Sequence, residues 1–109
     1  MSAPRRHTVL LVPDDRPIVV SVPAMPGCVS VGRTRSEALA NVQDAMRGWL
    51  DVEASQGRAP LAETPALMAA AVAQAIEIIE EMRQAGETSP GQGYELELTT
   101  VELPQLARA

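Results

Sequence analysis

Few side chains in this 109-residue chain could do chemistry: a single histidine, His7, a single cysteine, Cys28, and the adjacent carboxylates Asp14 and Asp15. A catalytic histidine needs an acid or a nucleophile within hydrogen-bond reach. No spacing around His7 supplies one, so it reads as a surface histidine at a strand edge. Cys28 would be a reactive thiol if a neighbouring cation lowered its pKa, but no histidine or basic cluster adjoins it in sequence. It reads as a half-buried strand cysteine. One histidine and one cysteine also fall short of a zinc set. Asp14 and Asp15 would serve a magnesium ion only with carboxylates converging from other elements; before Arg16-Pro17 they are turn residues. Pro23-Ala24-Met25-Pro26 has the form of a proline-recognition motif, yet between two strand-like runs it reads as a rigid corner. No catalytic, cofactor-binding or metal-binding residue is assigned, and no cofactor is expected.

The elements that would position these residues follow from local patterns. His7 to Val12 is a run of β-formers, and Pro13 to Pro17 is a turn cluster. Ile18 to Val22 makes a second strand with Ile18, Val20 and Val22 on one face and Val19 and Ser21 on the other. Together they form an antiparallel hairpin. Pro23 and Pro26 end that strand, Gly27 permits a positive φ at the corner, and Cys28 to Val31 is a short third strand. Thr34-Arg35-Ser36-Glu37 has the capping-box form, the threonine hydroxyl taking the Glu37 amide and the Glu37 carboxylate returning to the cap. Ala38, Leu39, Val42, Ala45, Met46, Trp49 and Leu50 follow at helical spacing, to about Ser55, with Gly57 placed to end the helix.

A second helix is predicted over 64–86, with Thr64 as cap, Pro65 at its first position and Gly86 closing it. Thr88 to Gly93 is a loop. Tyr94, Leu96 and Leu98 alternate with Glu95 and Glu97, which predicts a last strand with the former set on the core and the glutamates in solvent, running on to Val101 or Leu103. The order is β-β-β-α-α-β, an α+β fold with helices on one face of an antiparallel sheet. Residues 7–103 form one domain, with 1–6 a flexible tail and 104–109 a second tail.

Composition narrows the function. Apolar residues are 46% of the chain but aromatics only 2%, Trp49 and Tyr94. The core must come from Val, Leu, Ile, Ala and Met, and a chain of this size gains from burial against a second copy. The net charge is −5, with nine arginines and no lysine. That balance leaves no basic footprint for nucleic acid and suits a basic protein partner. A single cysteine admits no internal disulfide and fits a reducing cytoplasm. No apolar run has the length of a membrane span, and no hydrophobic leader follows Arg5 and Arg6.

The central segment resembles the HicB-like antitoxin family. That family's usual pattern is Val-x-x-Pro-x-x-Pro-Gly, a short strand, then Gly-x-Thr-x-x-Glu-Ala opening a helix. Here Val20 to Gly27 carries Pro23, Pro26 and Gly27, and Gly32, Thr34, Glu37 and Ala38 follow after Cys28 to Val31. The likeness covers about residues 7–56, and the last strand suits the family's final strand. The chain departs from the pattern at Arg33, where relatives often have an acid, and in a hairpin without the usual aromatic. It also has an extra helix and strand where longer members carry a DNA-binding segment. The resemblance implies a sheet packed on one face by a helix in a partly degraded ribonuclease-H-like arrangement. It implies a bacterial, non-enzymatic protein that binds and blocks a small basic HicA-type RNA-cleaving toxin; direct DNA binding is not expected.

Helix two carries the candidate interaction surface. Met68, Val72, Ala75, Ile79 and Met82 repeat at spacings of four and three, a heptad-like seam widened by Leu67, Ala71, Ile76 and Ile78. This is more apolar surface than one helix face needs, which predicts one side on the chain's own sheet and the other on a second copy, as a dimer or tetramer. Two alternatives to the antitoxin stand beside it: a homo-oligomeric structural or regulatory module without a toxin, and a ribonuclease-H-like nuclease using Asp14.

Overall fold

Strand β1 (Arg5–Val12) carries an unbroken apolar run, Val9-Leu10-Leu11-Val12, and so has apolar side chains on both of its faces. In the computed structural model, which describes residues 5–12, 17–85 and 96–103, this strand takes an inner place in a four-stranded antiparallel sheet of order β3-β2-β1-β4. The other elements are β2 (Ile18–Ser21), β3 (Val29–Gly32), α1 (Arg35–Ser55), α2 (Pro65–Gln84) and β4 (Glu97–Leu103). The α+β class and the β-β-β-α-α-β order are as expected. The turn at 13–16, with Asp14 and Asp15, lies outside the described residues. So do the segment 86–95, with Gly86 and Tyr94, and the ends 1–4 and 104–109.

Strand β1 begins two residues earlier than the sequence predicts. Arg5 and Arg6 pair with Leu103 and Glu102 of β4, and the Arg6 guanidinium meets Glu102 at 3.1 Å. Local propensity holds no sign of this, because the partner strand lies more than ninety residues away.

The pairing also inverts the expected phase of the last strand. Register places Val9 opposite Thr99 and Leu11 opposite Glu97, so odd-numbered residues of β4 share the inner face with Val9 and Leu11. Val101 and Leu103 are buried there, whereas Leu98 is exposed on the outer face. Glu97, expected in solvent on the far side, instead stands on the inner face. There it forms a bidentate pair with Arg35 of α1, Nε to Oε1 at 2.9 Å and Nη2 to Oε2 at 2.5 Å. Both Leu96-Leu98 and Val101-Leu103 could have marked the core, and the second pair prevailed.

Helix α1 covers the inner face. Ala38, Val42 and Met46 are fully buried with Val9, Leu11, Val20, Val22 and Met25, while Leu39, Ala45, Trp49 and Leu50 flank them. Each valine, leucine or methionine among them contributes about 1.5–3 kcal/mol by leaving water. The Thr34 hydroxyl accepts the Glu37 N–H at 3.1 Å, as the capping box predicts. The Glu37 carboxylate reaches one residue further back and accepts the Arg33 N–H at 3.0 Å. At the other end the Gly57 and Arg58 N–H groups donate to Ala54 and Glu53 at 3.0 and 2.8 Å, the paired closure of a Schellman turn with Gly57 at φ +75°.

The proline-glycine segment is the hinge between hairpin and helix. Met25 N–H donates to the Val22 carbonyl, Cys28 N–H to Met25, and Val22 N–H to Cys28, all within 3.1 Å. Pro26 offers its carbonyl to the Trp49 indole N–H at 2.9 Å. Gly27 sits at φ +86°. Gly32 serves a different need: the first turn of α1 lies directly on it, and a Cβ there would fall 2.3 Å from the Ala38 nitrogen.

Helix α2 does not lie beside α1. Thr64 caps it, Oγ1 accepting the Leu67 N–H at 3.1 Å, and it approaches β1 across the outer face of the sheet. Leu10 is buried on that face. The sheet is therefore a middle layer, with one helix on each side. The apolar run of β1 accounts for this, since a helix on one face alone would leave Leu10 and Val12 in water.

Two outcomes follow. Gly32→Ala should lower unfolding stability by about 3 kcal/mol in a denaturant titration, whereas Gly27→Ala, with open space around its Cβ, should lose only about 1–2 kcal/mol for its positive φ. The hydrogen bond from Arg35, aided by its charge and opposed by desolvation, holds the Glu97 carboxyl below its ordinary value of 4.5. The folded carboxyl is thus the stronger acid. The pair contributes stability above the ordinary value and loses it as pH falls through the folded one. Glu97→Gln should accordingly be less stable than the parent at neutral pH, and the gap in denaturation midpoint should close on acidification below about pH 4.5 and narrow with added salt.

Candidate functional site

Among the described residues, the side chains that could do chemistry are not gathered into a site. His7 is buried rather than exposed at a strand edge, at 9%, because β1 has β4 along one side and Val101 opposite His7. Its Nδ1 lies 3.9 Å from Glu63 Oε2. That carboxylate also accepts the Thr8 N–H at 2.8 Å and the Thr8 hydroxyl at 2.7 Å. Strand β2 ends at Ser21, opposite Leu10, so its ladder stops short of Thr8 and supplies no carbonyl to the Thr8 N–H. Glu63, from the connector between the helices, covers the gap. The sequence offers no local cue to this role.

Cys28 is fully buried just before β3, deeper than expected. Burial pushes its thiol pKa up, which keeps it protonated and unreactive. Asp14 and Asp15 lie outside the described residues. Among the described residues no three His, Cys, Asp or Glu side chains come together to hold a metal ion, and no helix is long and apolar enough to cross a membrane.

What the fold does assemble is a groove. On the outer face, Val12 pairs across to Val19 and Val19 to Val31, while Leu10, Ser21 and Val29 form the next row. Helix α2 stands over β1 and leaves the β2–β3 half uncovered. The resulting channel of about 660 Å³ has Val12, Val19, Ser21 and Val29 along its floor and Leu67, Ala71 and Ile78 along its α2 wall. Leu61 and the Pro23–Cys28 corner close the other side. Leu61 is tied to that corner by its N–H, which donates to the Ala24 carbonyl at 2.7 Å.

The seam predicted on helix two is distributed across this geometry. Ala75 and Ile79 are buried against the chain's own sheet, and Met68 and Val72 are half-buried. The side chain of Met82 lies outside the described residues. Ile76 and Ile78 are the exposed large apolar residues of the helix, Ile78 on the groove side. Glu77, Glu80 and Glu81 occupy its solvent face and make no ion pair among the described residues. The cations Arg6, Arg35, Arg47 and Arg58 are engaged elsewhere, with Glu102, Glu97, Asp44 and Glu53. The motif residues Pro23, Pro26, Gly27, Gly32, Thr34, Glu37 and Ala38 all serve the corner and the helix start.

Among the described residues the fold thus sets an apolar channel beside a helix whose solvent face is acidic. Comparison with known sequences gives the fold a family. The family model for the HicB-like antitoxin of bacterial toxin-antitoxin systems matches residues 8–84. The UPF0150 protein Ta0767 of Thermoplasma acidophilum is 43% identical over 47 residues, which span 42% of this chain and 68% of that protein. The chain belongs to the HicB-like antitoxin family.

The two neighbouring isoleucines of α2 separate its inner and outer roles. Ile79→Glu should destabilise the chain by about 3 kcal/mol, since it buries a carboxylate without a partner. Ile78→Glu, at a site 50% exposed, should stay within about 0.5 kcal/mol of the parent. Thermal unfolding of the two variants checks the assignment.

Proposed function

We propose that this chain is a non-enzymatic antitoxin that binds a small basic RNA-cleaving toxin of the HicA type in the cytoplasm and blocks it by occlusion. The observation that carries the reading is the pairing of an open apolar channel with Glu77, Glu80 and Glu81 on the adjoining helix, which make no ion pair among the described residues. A toxin that grips RNA needs a cationic face. An acidic surface attracts that face from a distance and speeds encounter, and apolar contact in the channel then excludes water. The toxin is silenced because its phosphate-binding surface is covered; the antitoxin needs no reactive group.

A second reading is favoured by a specific feature of the outer face. Val19, Val29 and Val31 are exposed in one patch, and a second copy of this chain would cover them as well. In that case the protein is a homo-oligomeric structural or regulatory module without a toxin.

Co-expression with a small basic protein encoded next to this chain separates the two. The antitoxin reading expects rescue of growth from that toxin and co-purification that weakens as salt is raised. The triple variant Glu77→Arg, Glu80→Arg and Glu81→Arg should fold and yet lose about tenfold or more in toxin affinity. Absence of both rescue and co-purification would overturn the antitoxin, and a dimeric mass by light scattering in that case would favour the oligomeric module.

A further inference from the structure

Among the described residues, the outer face of the sheet is half covered. Four strands at about 4.8 Å spacing span roughly 15 Å, and packed helices lie about 8–10 Å apart, so each face has room for two elements side by side. On the inner face α1 shares that width with Met25 and Cys28, while Pro23 and Pro26 of the same corner, with Leu61, bound the outer face at one end. On the outer face α2 stands over β1 alone. The lane over β2 and β3 holds nothing from the described chain, although its floor is apolar: Val19, Val29 and Val31 are 39%, 54% and 49% exposed.

We infer that this vacant lane seats a single basic amphipathic helix from the toxin partner, lying beside α2 as the second helix of the outer layer. The inference rests on the antitoxin reading and specifies which element of the partner docks, and where.

Three observations select this occupant. A helix is the element whose diameter, about 10 Å, matches a lane two strands wide. Strand addition at β3 is a poorer fit, because the Val31 carbonyl already accepts the Asn41 side-chain N–H at 2.8 Å and the edge cannot offer an uninterrupted ladder. Charge decides the rest. Glu77 precedes Ile78 and Glu81 follows it by three residues, so helical periodicity sets both exposed carboxylates next to the groove-lining face of α2 without lining it. A lysine- or arginine-flanked apolar stripe meets them favourably. The α2 of a second copy would bring its own Glu77, Glu80 and Glu81 to the same rim, and like charges there repel.

The test uses the full chain and a synthetic probe, a peptide of about 18 residues, roughly 27 Å as a helix. It carries leucines at i, i+3, i+4 and i+7 with lysines on the flanks, and a matched peptide carries glutamates in place of the lysines. In an NMR titration the lysine peptide should bind saturably and shift the resonances of Val19, Val29 and Ile78. Val29→Arg, an exposed change expected to leave the unfolding curve unmoved, should weaken binding about tenfold or more. The double variant Glu77→Arg and Glu81→Arg should reverse the preference, so that the glutamate peptide becomes the tighter ligand.

Shifts centred on Trp49 and Val52 of α1 would overturn the inference, as would no saturable binding, or equal binding by the Val29→Arg variant. A free chain that is dimeric by light scattering and becomes monomeric on Val29→Arg would overturn it too, assigning the lane to a second copy. The toxin keeps the two levels apart. If Val29→Arg still neutralises toxin as the parent does, the lane fails and the antitoxin stands. If the parent seats the lysine peptide in the lane but binds no toxin, the helix seat stands as chemistry and its assignment to a toxin fails with the antitoxin reading.

Discussion

A β-strand that is apolar on both faces obliges the sheet around it to be covered on both. Val9 and Leu11 of β1 turn toward α1, and Leu10 and Val12 turn the other way. One helix cannot shield both sets. The burial of Leu10 is therefore the reason α2 lies where it does, across the sheet from α1. Because α2 is centred over β1, the outer rows of β2 and β3 stay open and a groove exists. The connector between the helices must also pass around the edge of the sheet, which brings Glu63 to the Thr8 amide that β2 leaves uncovered.

The pattern of prolines, glycines and a capped helix start acts as a scaffold for the first of these two coverings. Gly32 is buried against the Ala38 backbone, a close approach that only a residue without Cβ allows. It sets the height of α1 above the sheet at its N-terminus. Further along, the Trp49 indole holds the Pro26 carbonyl, so α1 is fastened to β3 at Ala38 and to the corner at Trp49, about three turns apart. Met25 then fills the space between them. The motif contributes geometry to the inner face, while the groove is built from residues outside it.

This division explains what could be inferred from sequence. Hairpin, corner, cap and both helices were legible because each rests on contacts a few residues apart: Thr34 with Glu37, Gly57 with Ala54, Thr64 with Leu67. The face of α1 was legible for the same reason, from the spacing of Ala38, Val42 and Met46. The phase of β4 was not. It depends on register with β1, and the sequence held two rival apolar pairs of opposite parity, Leu96-Leu98 and Val101-Leu103. The burial of His7 and the role of Glu63 were likewise hidden, because both follow from partners more than fifty residues distant. The run Val9 to Val12 did carry a cue to the second helix layer, since alternation was absent there. The seam of α2 was visible as apolar surface, but only the fold could say that Ile79 is buried and Ile78 stays exposed on the groove side.

Exposed apolar surface and an acidic helix answer opposing demands on such a protein. A chain that must fold before it meets its partner cannot depend on the partner to complete its core, and here the inner layer is closed without help. The outer lane is the part left unfinished. Three exposed valines invite self-association as readily as recognition, and apolar contact alone does not discriminate between the two. The carboxylates of α2 do. On the proposed reading, carboxylates along the rim and solvent face would oppose a second copy of the same acidic helix and favour a cationic one, so the groups that steer a basic partner in would also weaken the competing homomeric contact. On this account the charge on α2 sets which protein fills the groove, and the valines beneath it set how firmly.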